Sequence, residues 1–393
     1  MTPPARDAPP AAAPDRGATV RGLWWYFVRL GTAGFGGPVA LVGYMQRDLV
    51  EARGWVSEAE YKEGLAFSQL APGPLAAQLA MYIGWLRGGA RGATIAGLGF
   101  VLPSFLMVLA LSAAYVRVGA MTWMREAFYG VGAAVIAIIA RSAYKLARVT
   151  LGRDALLWGI FLANAVATAL TESEIVWLIL GGGVLAVAAR GASRRVRGAS
   201  ALVLALPPWI VTGLGGAAGG EQLARVLWFF AKAGALVFGS GLAIVPFMYR
   251  GAVEEYRWLT DQQFLDAVAV SMITPGPVVI TVAFVGFLAA GPLGGALAAL
   301  GVFAPVHLSV VLFAPSFRRV SQQVTVRAFV AGVTAAATGA IAGVALVLGQ
   351  RAIVDVPTAV IALGALAALL TVRRLPEPAI IGIAGVIGVL LHR

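Results

Sequence analysis

Long apolar stretches separated by short polar or basic connections fill most of this chain, and they set its fold class. Most stretches approach or exceed about 20 residues, the length that an α-helix needs to cross a bilayer. Strand-like alternation is weak, and the stretches are too long for the strands of a membrane barrel. The pattern predicts an all-α membrane protein that crosses the bilayer many times. Thirteen stretches are countable, at 22–48, 57–86, 91–117, 123–149, 153–171, 174–190, 199–216, 221–250, 260–290, 293–317, 322–349, 356–372 and 376–391.

Two of these stretches are interrupted by the same tripeptide. Pro-Gly-Pro stands at 72–74 and again at 275–277. A straight helix over 57–86 would be about 45 Å long, whereas the hydrocarbon core is about 30 Å thick, so the chain must kink or re-enter. Proline lacks a backbone N–H, and glycine permits a sharp turn. We expect each tripeptide to end one half-helix and begin another beside a cavity that satisfies the freed backbone groups.

The two tripeptides belong to an internal repeat. When 27–82 is set against 230–285, an offset of 203 positions (230 − 27 = 203), 17 of 56 positions are identical. The identities include Trp, Arg, Glu and Pro, which shared apolar composition alone would not bring into register. The predicted units are a disordered Pro- and Ala-rich tail at 1–20, a first membrane repeat at 21–190, a basic linker and connecting span at 191–220, and a second membrane repeat at 221–393.

Basic residues in the connections predict how the repeats are oriented. The connection at 86–92 carries Arg87 and Arg91, whereas its counterpart at 289–295 carries no charge. Because basic loops face the cytoplasm, the two repeats are expected to be inverted, and the extra span at 199–216 supplies the odd crossing. The amino terminus would then lie inside and the carboxyl terminus outside.

Composition narrows the function classes. The chain is 60% hydrophobic and 12% charged, with a net charge of +12. Many arginines stand at the ends of apolar stretches, which is typical of membrane orientation rather than nucleic-acid binding. With no cysteine and two histidines, the chain cannot form thiolate sites or a histidine-rich metal cluster. Hydrolase, kinase and dinucleotide-binding motifs do not appear, so we predict neither an enzyme nor a cofactor.

Broken helices at matching positions of inverted repeats are typical of secondary transporters. A second break precedes each tripeptide, in GFGGP at 34–38 and VFGSG at 237–241. A helix that begins after such a break directs free N–H groups and its positive dipole end into the cavity, which favours an anion. Arg29 and Lys232 precede the two breaks at matching positions, and two cations approaching one cavity would suit a doubly charged anion. The structural alternatives are helix packing through small residues and cations that snorkel to the interface.

Other polar side chains near the tripeptides form two secondary groups. Potential hydrogen-bond donors to an oxyanion are Ser68, Gln69, Ser271 and Thr274. Candidates for coupling or gating are Arg47, Glu51, Glu63, Arg250, Glu254, Asp266 and His307. The structural alternatives are ion pairs one helical turn apart for the matched Arg and Glu residues, solvated helix starts for the other acids, and hydrogen-bonded packing for the histidine.

The motifs around the two tripeptides resemble those of a known family. FVRLGTAGFGGPVALVGYMQRDLV with LAPGPLAAQLAMYIGWLRGGARGA, and FFAKAGALVFGSGLAIVPFM with TPGPVVITVAFVGF, resemble the signature regions of the chromate ion transporter (CHR) family. The resemblance covers about 22–150 and 221–350. It implies a carrier that exports chromate, with sulfate as competitor, through the bacterial cytoplasmic membrane and confers chromate resistance.

The resemblance also implies which positions form the site. In the first half they are Arg29, Gly36, Gly37, Pro38, Pro72, Gly73 and Pro74. Their second-half partners are Lys232, Gly239, Ser240, Gly241, Pro275, Gly276 and Pro277. Ser240 departs from the glycine of the family pattern, which weakens a backbone amide nest there but offers a hydroxyl group.

The sequence therefore predicts a multi-pass secondary transporter for a tetrahedral dianion that works by alternating access. An importer of sulfate or molybdate on the same fold and an anion channel are alternatives. An intramembrane lipid enzyme or scramblase is an alternative from another class. Small-residue faces such as GGGVLAVAARG at 181–191 permit a homodimer.

Overall fold

The computed structural model describes residues 19–35, 37–118, 122–171, 176–191, 218–236, 244–317, 323–372 and 376–391. Over these residues the chain forms 14 α-helices, joined by short π-helical and 3₁₀ segments, and the predicted all-α class is confirmed. The tail up to residue 18 and the predicted span at 199–216 lie outside the described residues. The α-helices are α1 (Val20–Ala33), α2 (Gly37–Met45), α3 (Glu58–Leu70), α4 (Leu75–Val118), α5 (Thr122–Leu151), α6 (Ala155–Thr171), α7 (Val176–Gly191), α8 (Ala218–Leu236), α9 (Ile244–Tyr249), α10 (Asp261–Ile273), α11 (Thr281–Phe313), α12 (Val324–Ala352), α13 (Val356–Thr371) and α14 (Glu377–Leu391).

The outward faces of these helices are apolar, as a bilayer requires. Large apolar side chains stand on the surface, with Leu170, Trp177 and Val356 exposed to 80, 77 and 75%. Soluble proteins rarely expose apolar surface so widely. By length and composition, the helical stretches Leu75–Arg117, Glu126–Arg148, Val278–Ser316 and Val324–Ala352 are able to cross a membrane.

α4 and α11 each turn back on themselves at a pair of non-helical residues. The turns are Gly88–Gly89, where Gly89 has φ +55°, and Ala290–Gly291, where Gly291 has φ +68°. An added Cβ at Gly84 would collide with the carbonyl oxygen of Gly92, so the two parts of α4 lie side by side. The same contact recurs in α11. The connections predicted at 86–92 and 289–295 are confirmed as these turns.

The two repeats are intertwined through their later helices. α5 of the first repeat packs on α13 and α14 of the second, and α12 of the second packs on α6 and α7 of the first. Gly130 lies against the Ala384 carbonyl, and Gly332 lies against the Gly182 carbonyl. These contacts are equivalent at an offset of 202 (332 − 130 = 202; 384 − 182 = 202). Neither repeat is a separate globular unit.

The packing directions show that the repeats are inverted. Residues 152–154 alone join α5 to α6, so these two apolar helices cross the bilayer in opposite directions. α6 runs parallel to α12, because Gly339 faces Phe161 and Gly343 faces Ala165. The equivalent helices α5 and α12 therefore oppose each other, as the charge pattern predicted.

The small-residue face at 181–191 is used within the chain. A Cβ added at Gly182 would lie 2.8 Å from Ile160 Cγ2, and one at Gly183 would lie 2.7 Å from Phe329 Cε2. Gly182 and Gly183 of the face from which a homodimer was predicted are thus covered within the chain by α6 and α12. The homodimer itself stays a prediction.

Candidate functional site

The first tripeptide forms the tip of a re-entrant hairpin. Its arms are α3 and the part of α4 before Gly88, and we call this unit the first hairpin. Phe67 stacks on Tyr82 with ring centroids 5.4 Å apart, and Arg87 Nη2 lies 3.3 Å from Glu60 Oε2. Along one straight helix, positions 60 and 87 would be about 40 Å apart. The arms therefore fold back on each other, so the segment re-enters and does not kink.

The second tripeptide forms a matching tip, between α10 and the part of α11 before Ala290, which we call the second hairpin. Tyr115 shows that its arms also lie side by side. The Tyr115 hydroxyl binds Asp266 in α10, while its ring packs edge-on against Phe284 in α11 at 5.2 Å. One tyrosine side chain reaches both arms only if they fold back on each other.

Both hairpins begin with the same hydrogen-bonded cap. Ser57 accepts from the Glu60 N–H while the Glu60 carboxylate accepts from Ser57, and Thr260 and Gln263 repeat the pattern. The Glu60 carboxylate also accepts hydrogen bonds from the Ser57 hydroxyl at 2.9 Å and from Arg87 at 3.3 Å. These caps and the ion pair with Arg87 fix the base of the first hairpin.

Each tip requires glycine. Gly73 has φ +137° and Gly276 has φ +103°, a backbone region that favours glycine. A Cβ at Gly73 would lie 3.0 Å from Val306 Cγ2 in α11, and a Cβ at Gly276 would lie 2.7 Å from Ser104 Oγ in α4. Each tip thus packs against a helix of the other repeat.

The second tip also meets the broken helix of the first repeat. The Gly276 N–H donates a hydrogen bond of 2.9 Å to the carbonyl oxygen of Gly34, the residue that ends α1. α2 begins soon after this contact, at Gly37, which has φ +73°. The start of α2 and the start of the helical turn Val278–Ile280, which leads into α11, therefore lie close together. Gly36 and the second break, with Gly239, Ser240 and Gly241, lie outside the described residues.

Sequence reasoning missed Gln78, which follows the first tripeptide. Its side chain is fully buried, and its Nε2 donates a 2.6 Å hydrogen bond to the Pro72 carbonyl. Its Oε1 has no hydrogen-bond partner in the described part of the chain. The equivalent residue in the second repeat is Thr281, whose hydroxyl donates to the Val278 carbonyl at 2.7 Å. The feature of the sequence that could have identified Gln78 is a polar residue within an apolar run.

The two predicted cations lie on equivalent helices. Arg29 is on the exposed face of α1 with Trp25, and Lys232 is half-buried on α8. Neither has an ion-pair or hydrogen-bond partner among the residues that the structure describes. Their role in binding an anion stays a prediction.

The predicted hydroxyl donors are occupied by their own helices. Ser68 donates to the Gly64 carbonyl at 2.8 Å, and Ser271 and Thr274 donate to backbone carbonyls of α10 at 2.7 and 2.6 Å. Each hydroxyl has one proton, so these groups would have to rotate before donating to an anion. Gln69, by contrast, is exposed.

The matched Arg and Glu residues lie in π-helical segments, at Gln46–Ala52 and Arg250–Glu255. Arg47 Nε binds Asp48 Oδ1 at 2.9 Å rather than the expected Glu51. The wider π-helical turn moves position i+4 off the face of position i, so Arg47 and Glu51 do not form the predicted ion pair. Such segments are frequent at functional sites, and no pattern in the sequence predicted them.

The acidic candidates differ in their surroundings. Glu63 is half-buried, whereas Asp266 is 2% exposed and does not begin a solvated helix as expected. Tyr115 donates to Asp266 Oδ2 at 2.7 Å, and Gln262 donates to Asp266 Oδ1 at 2.9 Å. His307 Nε2 lies 3.3 Å from Thr94 Oγ1, which fits a hydrogen-bonded packing residue. No group of three or more His, Asp or Glu side chains in the described ranges is arranged to hold a metal ion.

Two segments of the chain, 21–187 and 224–389, match the model of the chromate transporter family. The chain is similar to the chromate transport protein of Cupriavidus metallidurans, 56% identical over 375 residues, 95% of this chain and 94% of the relative. It is also similar to the probable chromate transport protein of Synechococcus elongatus, 52% identical over 95% of each chain. The chromate transport protein of Pseudomonas aeruginosa is 34% identical over 88% of this chain and 85% of its own. No solved structure matches.

Proposed function

The chain belongs to the chromate transporter family, and we propose that it is a secondary transporter that exports chromate across the bacterial inner membrane and so confers chromate resistance. The relatives named for chromate transport match it over nearly their whole length. Chromate is a tetrahedral dianion, so the site must offer hydrogen-bond donors and positive potential. Sulfate has the same shape and charge and would compete for that site.

The observation that carries the proposal is the contact between the second hairpin tip and the first broken helix. The hydrogen bond from Gly276 to Gly34 brings the start of α2 and the start of the turn before α11 to one point. Helix starts present unpaired N–H groups and a positive dipole end. An oxyanion seated there would receive backbone hydrogen bonds without any fixed positive charge, and Arg29 and Lys232 would add attraction from their two helices.

Alternating access follows from the symmetry of this arrangement. Each tip lies against the other repeat through a glycine, Gly73 against Val306 and Gly276 against Ser104. Because the repeats are inverted, movement of one hairpin would open the site to one side, and movement of the other would open it to the opposite side. In this proposal chromate binds between the tips and each hairpin serves as one gate.

The membrane potential favours outward movement of the anion. Each charge moved across the membrane changes the free energy by about 2.3 kcal/mol per 100 mV. A dianion leaving a negative interior therefore gains about 4.6 kcal/mol per 100 mV. This is consistent with an exporter that uses no nucleotide.

The test is flux of labelled chromate into proteoliposomes with an imposed potential. We expect saturable flux that excess sulfate inhibits and that is faster toward the positive side. Gly276→Ala should remove flux, whereas Gly382→Ala, where an added Cβ meets nothing within 4 Å, should keep it. Non-saturating flux would indicate a channel instead, and folded protein without oxyanion flux would contradict the proposal.

A further inference from the structure

Among the described residues, Asp266 is the acidic side chain that is buried, with 2% of its surface exposed. It lies in α10, the first arm of the second hairpin, on the order of 15 Å from the tip at Gly276. An ionised carboxylate in such a place needs compensation, because burial of an unpaired charge is unfavourable. The partners of Asp266 therefore decide whether it holds its charge.

Those partners are neutral. Tyr115 donates to Oδ2 at 2.7 Å and Gln262 donates to Oδ1 at 2.9 Å, so each oxygen receives one hydrogen bond. Tyr115 is the titratable group facing Asp266 among the described residues. Charged groups on the elements packed against α10 include Arg87, which binds Glu60, Arg141, which pairs with Glu377, Arg148, which binds Tyr144, and Arg351, which binds Asp261. The same elements also carry Arg91, Arg117, Glu126, Lys145, Arg250, Glu254, Glu255 and Arg327. Because both donors are neutral, the carboxyl group can take either its ionised or its protonated form.

The site joins the two repeats and occurs once among the described residues. Tyr115 belongs to α4 of the first repeat, whereas Asp266 belongs to the second hairpin. The equivalents in the other half are Glu63 (266 − 203 = 63) and Phe317 (115 + 202 = 317). Phe317 has no hydroxyl group and packs edge-on against Phe67 at 5.2 Å. The buried carboxyl with a tyrosine partner thus belongs to one gate alone.

We propose that Asp266 is a proton-binding site linked to the oxyanion site, so that it is protonated while the anion is bound and ionised while the site is empty. This inference rests on the proposed function. A carboxylate charge near the tips repels a dianion, whereas the protonated form does not. At this separation and an effective dielectric constant near 20, repulsion between one carboxylate charge and a dianion makes the linkage on the order of 40-fold in anion affinity.

Because linkage is reciprocal, anion binding must draw a proton from water onto Asp266, up to about 0.7 proton per anion for a linkage of this size. The proton leaves the carboxyl group when the anion departs. If the anion binds on one side of the membrane and departs on the other, up to about 0.7 proton travels with each dianion. The net charge moved then falls from −2 toward −1.

The test measures protons taken up when sulfate binds to the purified protein. Sulfate is the probe because, unlike chromate, it has no proton to exchange near neutral pH. Calorimetric titration in two buffers of different ionisation enthalpy gives the protons taken up per anion. Across neutral pH we expect uptake to reach a maximum of about 0.7 proton per sulfate in the wild type, none in Asp266→Asn, and wild-type uptake in the matched control Glu63→Gln.

Tyr115→Phe tests the same site without removing the acid. Loss of a hydroxyl donor to the carboxylate favours the protonated form, so the midpoint of proton uptake should move up by about one pH unit. A merely structural role would leave the midpoint unchanged. If Asp266→Asn takes up protons as the wild type does, or sulfate binds the wild type without proton uptake, this inference is wrong and the oxyanion site stands. If neither sulfate nor chromate binds the folded wild type, the proposed function fails as well.

Discussion

The replacement of Gly276 by alanine tests whether the hairpin tip is held by its contact with the other repeat. Gly276 has φ +103°, where an L-residue is strained by about 1–3 kcal/mol. The new Cβ would lie 2.7 Å from Ser104 Oγ and 2.8 Å from Ser104 Cβ, and overpacking of this kind costs about 1–3 kcal/mol. We expect Gly276→Ala to destabilise the protein by about 2–6 kcal/mol.

The two contributions can be separated. Ser104→Gly removes the side chain that the new Cβ meets but leaves the backbone strain, so the double variant should recover the overlap part of the loss. Thermal unfolding in detergent reports stability, and chromate flux in proteoliposomes reports whether the tip still meets Gly34. Gly382→Ala adds the same methyl group in open space and should change neither. If Gly276→Ala unfolds and transports like the wild type, the tip is not held as described.

Four further substitutions test other parts of the molecule. Gln78→Leu removes the hydrogen bond to the Pro72 carbonyl, so the free energy of unfolding should fall by about 1–2 kcal/mol. Sulfate should also inhibit chromate flux less strongly. Unchanged unfolding and unchanged inhibition by sulfate would contradict this. Arg257 has φ +51° where the first repeat has Gly54, so Arg257→Gly should raise the unfolding temperature, and a lower one would show that its side chain outweighs the strain. Neutral replacements Arg29→Gln and Lys232→Gln should each reduce chromate flux at least tenfold without loss of protein from the membrane; normal flux in both would refute the paired cations.

The sequence by itself determined the local elements. Apolar length predicted the helices, because about 20 apolar residues match the bilayer. The tripeptides at 72–74 and 275–277 predicted breaks, because proline cannot donate and glycine can turn. The matched positions at an offset of 203 predicted the duplication, and the arginines of 86–92 predicted its inversion. All of these are properties of neighbouring residues or of the chain compared with itself.

The tertiary structure decided what those elements do to one another. Whether a break becomes a kink or a re-entrant hairpin depends on contacts such as Glu60 with Arg87, which only the fold brings together. The exchange of helices between the repeats and the meeting of Gly276 with Gly34 follow from packing across the two halves. Asp266 reads in the sequence as a polar start of a helix, yet the fold buries it, because α4 of the other repeat brings Tyr115 to cover it. Local pattern fixes where a helix begins and ends, whereas burial depends on partners that are distant in sequence.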